Sequence, residues 1–190
     1  MPYELICVGA SWGGLDAASR LLADLPGEVD VPIVIAQHRH STSTPHGLAE
    51  LLHLRVKRPV HDAEDKMAIE RGRVYVAPPD YHLLVERGSF ALSVDERVMY
   101  ARPSIDVLFE TASLAYGAGV IGVILTGANE DGAAGLAAVK DRGGVAIVQA
   151  PHEAVRRTMP DAAIAATAAD AVLPVEEIGG FLYGLCLESI

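Results

Sequence analysis

The sequence predicts an α/β fold: a doubly wound, mostly parallel sheet with helices on both faces and an antiparallel hairpin extension. Three observations carry this. Short apolar runs alternate with helix-patterned segments along most of the chain. Those runs are continuous rather than interrupted at every second residue, as expected of strands buried on both faces. The composition, 51% hydrophobic but only 5% aromatic, suits helices packed closely on a sheet better than an all-β sandwich.

The elements follow in order. Leu5–Gly9 is a first buried strand, and Ala10-Ser11-Trp12-Gly13-Gly14 is a glycine-rich turn. A helix beginning at about Trp12 follows through Leu15, Ala18, Leu21, Leu22 and Leu25, and Pro26-Gly27 ends it. Val31–Ala36 is a second strand. Thr44 is placed to cap a helix, with Pro45 in its first turn and Leu48, Leu51 and Leu52 as its apolar face. Arg73–Ala77, His82–Glu86 and Phe90–Val94 are short strands joined by turn residues, expected as antiparallel hairpins attached to the main sheet. Ser104 starts a helix over Ile105–Tyr116, and Val120–Leu125 is a third buried strand. A loop over Gly127–Gly132 leads into a helix to Lys140, ended by Gly143-Gly144, and Val145–Gln149 is a fourth strand. The tail alternates once more: a helix near Asp161–Ala169, a strand near Ala171–Leu173, and a helix from Val175 to Cys186.

At 190 residues the chain is sized for a single domain spanning 1–190. Lys plus Arg is 15 and Asp plus Glu is 25, a net charge of −10, which disfavours a nucleic-acid partner. No apolar run reaches the ~18 residues that a membrane span needs. The start, Met-Pro-Tyr-Glu, lacks the basic region and cleavage site of a signal peptide. Cys7 and Cys186 lie inside apolar runs and read as buried free thiols, in keeping with a reducing cytoplasm.

In open parallel sheets, chemistry sits outside the carboxyl ends of the strands. Three polar residues stand there: Ser11 after the first strand, His38 after the second and Asp131 after the third. Hydroxyl, imidazole and carboxylate are the parts of a nucleophilic triad. Gly9-Ala10-Ser11-Trp12-Gly13 fits G-x-S-x-G between a strand and a helix, a turn that exposes the hydroxyl. The N–H groups that open the following helix, at Trp12 and Gly13, are candidate oxyanion donors. Glu130 is an alternative carboxylate beside Asp131.

Two competing readings fit less well. The glycines at 9, 13 and 14 do not match G-x-G-x-x-G, and the second strand ends in Gln37-His38 rather than an acidic ribose ligand. Four histidines (His38, His40, His46, His53) crowd one span, but it holds a single carboxylate, Glu50, no cysteine and no H-E-x-x-H. No metal is expected.

The ordered stretches Gly9-Ala10-Ser11-Trp12-Gly13-Gly14, Ala36-Gln37-His38, Val76 to His82, Arg102 to Phe109, and Leu125-Thr126-Gly127 through Leu136 resemble the chemotaxis receptor protein-glutamate methylesterase (CheB) family, in its catalytic domain. Gly143-Gly144, Gln149 and Met159-Pro160 add to the resemblance, which runs from about Ile6 to Ile178. It implies a Ser11, His38, Asp131 triad that hydrolyses glutamate methyl esters on the cytoplasmic helices of methyl-accepting chemoreceptors, with release of methanol. Many members of the family also deamidate receptor glutamines. No cofactor is implied. A separate response regulator or kinase is an expected partner, and membrane insertion is not.

Three departures from the family pattern bear on the expectation. Ala128-Asn129 stands where the family has Met-Gly, so Ala128 is expected to widen the pocket. Trp12 stands where a small residue is usual, and its ring would narrow access or touch a substrate helix. No phosphorylatable receiver domain is expected within 1–190. Arg102, Arg156 and Arg157 are the candidate substrate contacts, since an acidic chain needs local positive charge to hold an acidic substrate. Two other readings stay open: an inactive binding or signalling module of the same fold, and a serine esterase with a different protein substrate.

Overall fold

The order of elements is β1 (Leu5–Ala10), α1 (Gly14–Asp24), β2 (Ile33–Gln37), α2 (Gly47–His53), β3 (Val60–Asp62), β4 (Val74–Val76), β5 (His82–Glu86), β6 (Ser89–Ser93), α3 (Ile105–Tyr116), β7 (Val120–Ile124), α4 (Ala133–Asp141), β8 (Val145–Gln149), α5 (Thr158–Ala166), β9 (Ala171–Leu173) and α6 (Val175–Leu187). The computed structural model describes residues 3–39, 44 and 46–187.

Seven strands form one sheet in the order β3-β4-β2-β1-β7-β8-β9, and every pairing is parallel. The order reverses between β1 and β7: the chain winds outward from β1 through β2 to one edge, then returns to β7 on the other side. That gap is the topological switch point, where such sheets open a crevice. One core, with α1, α2 and α6, covers one face through Leu21, Leu22, Leu52, Ile178 and Leu182. The other, with α3, α4 and α5, covers the opposite face through Ile105, Phe109, Leu136 and Met159. Strands β1, β2 and β7 are buried at every residue, which is why their runs lack alternation.

The middle of the chain departs from the expected hairpins. Val74–Val76 is no hairpin strand: it sits inside the parallel sheet between β3 and β2, buried throughout. Its partner β3 gave no usable pattern, being three half-buried residues at an edge. Among the strands of the described residues, only β5 and β6 pair antiparallel, and they form a sheet of their own rather than extending the main one. Leu83, Val85 and Phe90 bury the hairpin in the core that includes α3, and Thr111 Oγ1 accepts the Val85 N–H at 3.1 Å.

Helix α2 starts three residues beyond Thr44, whose carbonyl accepts the Gly47 N–H in the preceding turn. Its apolar face is Leu48, Ala49 and Leu52, while Leu51 is exposed. Pro45 and His40 lie outside the described residues. Cys7 and Cys186 are free and buried. Among the described residues, no helix is long and apolar enough to cross a membrane.

Candidate active site

The sheet ladder runs past the strand ends and holds the backbone of the candidate triad. Leu125 N–H donates to Gly9 O, Ser11 N–H to Thr126 O and His38 N–H to Ala10 O, all at 2.9–3.0 Å. Ser11 and His38 are therefore placed by strand register rather than by loop packing, which suits a site that must keep its geometry.

The turn after β1 differs from the strained elbow that G-x-S-x-G implies. The left-handed residue is Gly13, with φ 81°, and not Ser11. Ser11 O accepts the Gly14 N–H at 2.9 Å and Gln37 Nε2 at 2.6 Å. The same Gln37 Nε2 donates to His38 O at 3.2 Å, so one buried amide ties Ser11 and His38 together. Because C=O and N–H point oppositely across a trans peptide, holding Ser11 O fixes the direction of the Trp12 N–H. Thr126 Oγ1 does the same one residue on. It donates to Trp12 O at 2.9 Å and so directs the Gly13 N–H. Neither N–H donates to an acceptor among the described residues.

Asp131 is fully buried, with Oδ2 2.6 Å from His38 Nε2. Each of its oxygens has a second donor. Oδ2 accepts the Ile105 N–H at 2.7 Å, and Oδ1 accepts Ser104 Oγ–H at 2.8 Å and the Asp106 N–H at 3.0 Å. Burial works to raise its pKa, but the bonds from His38 and from the Asp106 and Ile105 backbone outweigh it and hold it below the ordinary value. Asp131 is thus a carboxylate, and His38 Nε2 carries the proton between them. Nδ1 is left as the basic ring nitrogen. Ser11 Oγ donates no hydrogen bond among the described residues.

Sequence reasoning missed the roles of several residues that build the site. Gln37, Ser104 and Thr126 lie inside motifs already picked out, but their partners are 23 to 114 positions away. Asp106 is buried and accepts N–H groups from Gly132 at 2.9 Å and Gly135 at 2.7 Å. Burial raises its carboxyl to about 6.

The remaining candidates spread around the mouth. Trp12 is 62% exposed, and Arg156 stacks over its ring with Cζ 5.4 Å from the centroid. Arg157 is spent on an exposed ion pair with Asp161 at 2.6 Å. The Arg102 guanidinium is committed to Asp80 Oδ1 and to the carbonyls of Val94 and Asp95. Ala128 is exposed and takes no part in lining the cavity beside His38, whereas Asn129 does. Glu130 is exposed and stands apart from His38's carboxylate partner. Among the described residues, no three His, Cys, Asp or Glu side chains are grouped so as to hold a metal ion.

The chain is 49% identical over 182 residues to a Leptospira interrogans protein provisionally named protein-glutamate methylesterase/protein-glutamine glutaminase, covering 94% of this chain and 92% of that protein. It is 44% identical over 183 residues to protein-glutamate methylesterase/protein-glutamine glutaminase 1 of Hahella chejuensis, where it covers 92% of this chain but spans about half (49%) of the relative. The crystal structure of the Thermotoga maritima CheB methylesterase catalytic domain superposes with a TM-score of 0.91 at 32% identity, covering 96% of this chain and 98% of that one. The CheB methylesterase family model matches residues 6–182, and the chain belongs to that family.

Proposed function

We propose that this protein hydrolyses γ-methyl esters of glutamate side chains on methyl-accepting chemoreceptors, with Ser11 as nucleophile, His38 as general base and Asp131 as the carboxylate that orients it. The observation that carries the residue assignment is the 2.6 Å bond between His38 and the buried Asp131 carboxylate, beside Ser11 at the switch point of the sheet. The reaction itself rests on family membership and on the names of the relatives.

His38 Nδ1 takes the Ser11 proton as Oγ adds to the ester carbonyl. The imidazolium is stabilised by Asp131, which stays ionised. The N–H groups of Trp12 and Gly13 receive the oxyanion. The intermediate collapses, methoxide leaves with the proton from Nδ1, and methanol departs. Water then gives a proton to Nδ1 and attacks the acyl-enzyme, and Ser11 leaves with that proton. A glutamine side chain would follow the same path with ammonia as leaving group. The free Ser11 hydroxyl fits a resting site whose reactive bond tightens only on substrate.

The substrate region is proposed to be the receptor's cytoplasmic helices, with a separate response regulator or kinase as controlling partner and the cytoplasm as the location. Methanol release from methylated receptor tests the activity. Ser11→Ala is expected to lower the rate on the order of 10⁴-fold. A loss of only a few-fold overturns Ser11 as nucleophile, and an unmodified Ser11 after treatment with a fluorophosphonate favours an inert binding module.

A further inference from the structure

We propose that Gln149 and Glu153 are positioning residues of the proposed oxyanion site, acting through Thr126 on the peptide between Trp12 and Gly13. The role rests on the proposed ester hydrolysis, and both residues lie on the far side of Thr126 from Ser11.

A chain of hydrogen bonds runs from the start of α6 to that peptide. Glu153 Oε1 accepts the Val175 N–H at 3.1 Å and Gln149 Nε2 at 2.6 Å. A carboxylate only accepts, so it decides which end of the Gln149 amide turns towards it. The other end, Oε1, accepts the Thr126 N–H at 2.8 Å. Thr126 O accepts the Ser11 N–H, and Thr126 Oγ1 donates to Trp12 O, both at 2.9 Å. Thr126 is thus held through its N–H by Gln149, and holds the nucleophile turn through its carbonyl and its hydroxyl. Gln149 and Thr126 are both buried, where a polar group that loses its partner is costly. The rest of β8, Val145 to Val148, is apolar. An apolar residue at position 149 would serve packing as well, but would leave the Thr126 N–H unmet.

The hydroxyl has one proton to give. Thr126 Oγ1 accepts the Arg156 N–H at 2.9 Å, and its own proton has two acceptors in reach, Trp12 O at 2.9 Å and Arg156 O at 3.2 Å. Arg156 O already accepts the Gly127 N–H at 3.1 Å, so the shorter bond to Trp12 O takes the proton. Because C=O and N–H point oppositely across a trans peptide, this bond sets the direction of the Gly13 N–H. The loop after β8 also packs on the turn. A Cβ added at Gly13 would lie 2.8 Å from Val155 Cβ and 3.3 Å from Thr126 Cγ2. Glu153 anchors the start of that loop and Thr126 its Arg156 end. A donor that meets developing charge is most effective when it is fixed beforehand, and this chain fixes one from 23 positions beyond Thr126.

The test combines kinetics of methanol release from methylated receptor with the ¹H–¹⁵N resonance of the Gly13 amide. Glu153→Ala releases the Gln149 amide, and is expected to lower kcat about ten-fold with KM held within about two-fold. Glu153→Gln restores kcat to within about three-fold of wild type, because both donors meet the one oxygen that an amide keeps. Gln149→Glu sets two carboxylates together and also loses about ten-fold. The exchange Gln149→Glu with Glu153→Gln returns an amide N–H to the pair and recovers most of that loss. The Gly13 resonance moves in Glu153→Ala and in Gln149→Glu and returns in the exchange variant. Wild-type kcat in Glu153→Ala, a change confined to KM, or an exchange variant no better than Gln149→Glu overturns the inference; the last comparison decides it if Glu153→Ala does not fold. An unmoved Gly13 resonance in folded Glu153→Ala overturns it whatever the activity. A resonance that moves as expected in a wild type without turnover keeps the positioning and overturns the esterase reading.

Discussion

Asp131 and Asp106 cap one another's helices. Asp131, at the entrance to α4, accepts the Ile105 and Asp106 N–H groups that open α3, and Asp106, in the first turn of α3, accepts the Gly132 and Gly135 N–H groups that open α4. Two helix dipoles thus point their positive ends at two neighbouring buried carboxylates. The negative charge bonded to His38 is stabilised by the same bonds that dock α3 against α4, so the geometry of the proposed triad and folding stability are coupled here.

Asp106→Asn separates the two functions. The Asp106 carboxyl is raised to about 6 in the folded protein, mainly by burial. Against an unfolded value of about 3.9, its contribution to stability is fully present below pH 4 and is lost as pH rises through about 6. The amide can still accept both N–H groups, so Asp106→Asn is expected to fold and to flatten stability against pH between 4 and 6. Loss of a negative charge near the imidazolium moves the acid limb of kcat/KM to lower pH. Urea melts at pH 4 and 6, together with a pH–rate profile, check both; slopes identical to wild type would sink the account.

Asp131→Asn is expected to be severe in both respects. Each Asp131 oxygen accepts two donors, so an amide in either orientation sets its NH₂ against an N–H or O–H. A stability loss of about 3 kcal/mol follows, with a fall in kcat on the order of 10⁴. Because the Asp131 pKa is depressed, its contribution is present above the unfolded value and lost as pH falls through the folded one. Wild type should therefore lose stability below pH 4 more steeply than the variant, as thermal melts from pH 2 to 5 would show.

Gln37→Glu keeps the size and removes the donor. Nε2 faces two carbonyls, Ser11 O and His38 O, and a carboxylate there repels both. The Ser11–Trp12 peptide then loses one of the two donors that hold its carbonyl, the other being the Gly14 N–H, so the proposed oxyanion N–H is misdirected. A drop of ~10²-fold or more in kcat is expected, with KM little changed. Steady-state kinetics on a small ester reports it, and a change confined to KM contradicts the positioning role.

Gly14→Ala tests the same contact from the other side. A Cβ there would lie 2.1 Å from Gln37 Oε1 and 2.6 Å from the Ala10 Cβ. Gln37 must move, so activity falls although residue 14 touches no substrate. Stability drops by about 1–3 kcal/mol, measurable by urea denaturation. Wild-type kcat in this variant argues against a rigid link between Gln37 and Ser11.

Much of the molecule was legible in the sequence. β1, β2, β7 and β8 are apolar except for the glutamines that end β2 and β8, because they are buried on both faces, and Ser104 announces α3 as an N-cap that accepts the Val107 N–H at 3.4 Å. Strand-end placement, a rule of topology, singled out Ser11, His38 and Asp131 without any contact being known. Val74–Val76 misled because a three-residue apolar run followed by Pro78-Pro79 looks the same in a hairpin as in a parallel sheet. Only its neighbours β3 and β2 distinguish the two.

The chain by itself determined which groups stand at the carboxyl edge and that the protein as a whole is acidic, because local periodicity and composition encode burial and charge. The tertiary structure alone decided which ring nitrogen of His38 faces Asp131, that Gln37 and Thr126 hold the carbonyls of Ser11 and Trp12, and that Asp106 and Asp131 share two helix ends. It also committed Arg102 to Asp80. Each of these depends on hydrogen bonds between residues tens of positions apart, and a bond of about 3 Å between distant segments leaves no period in the sequence.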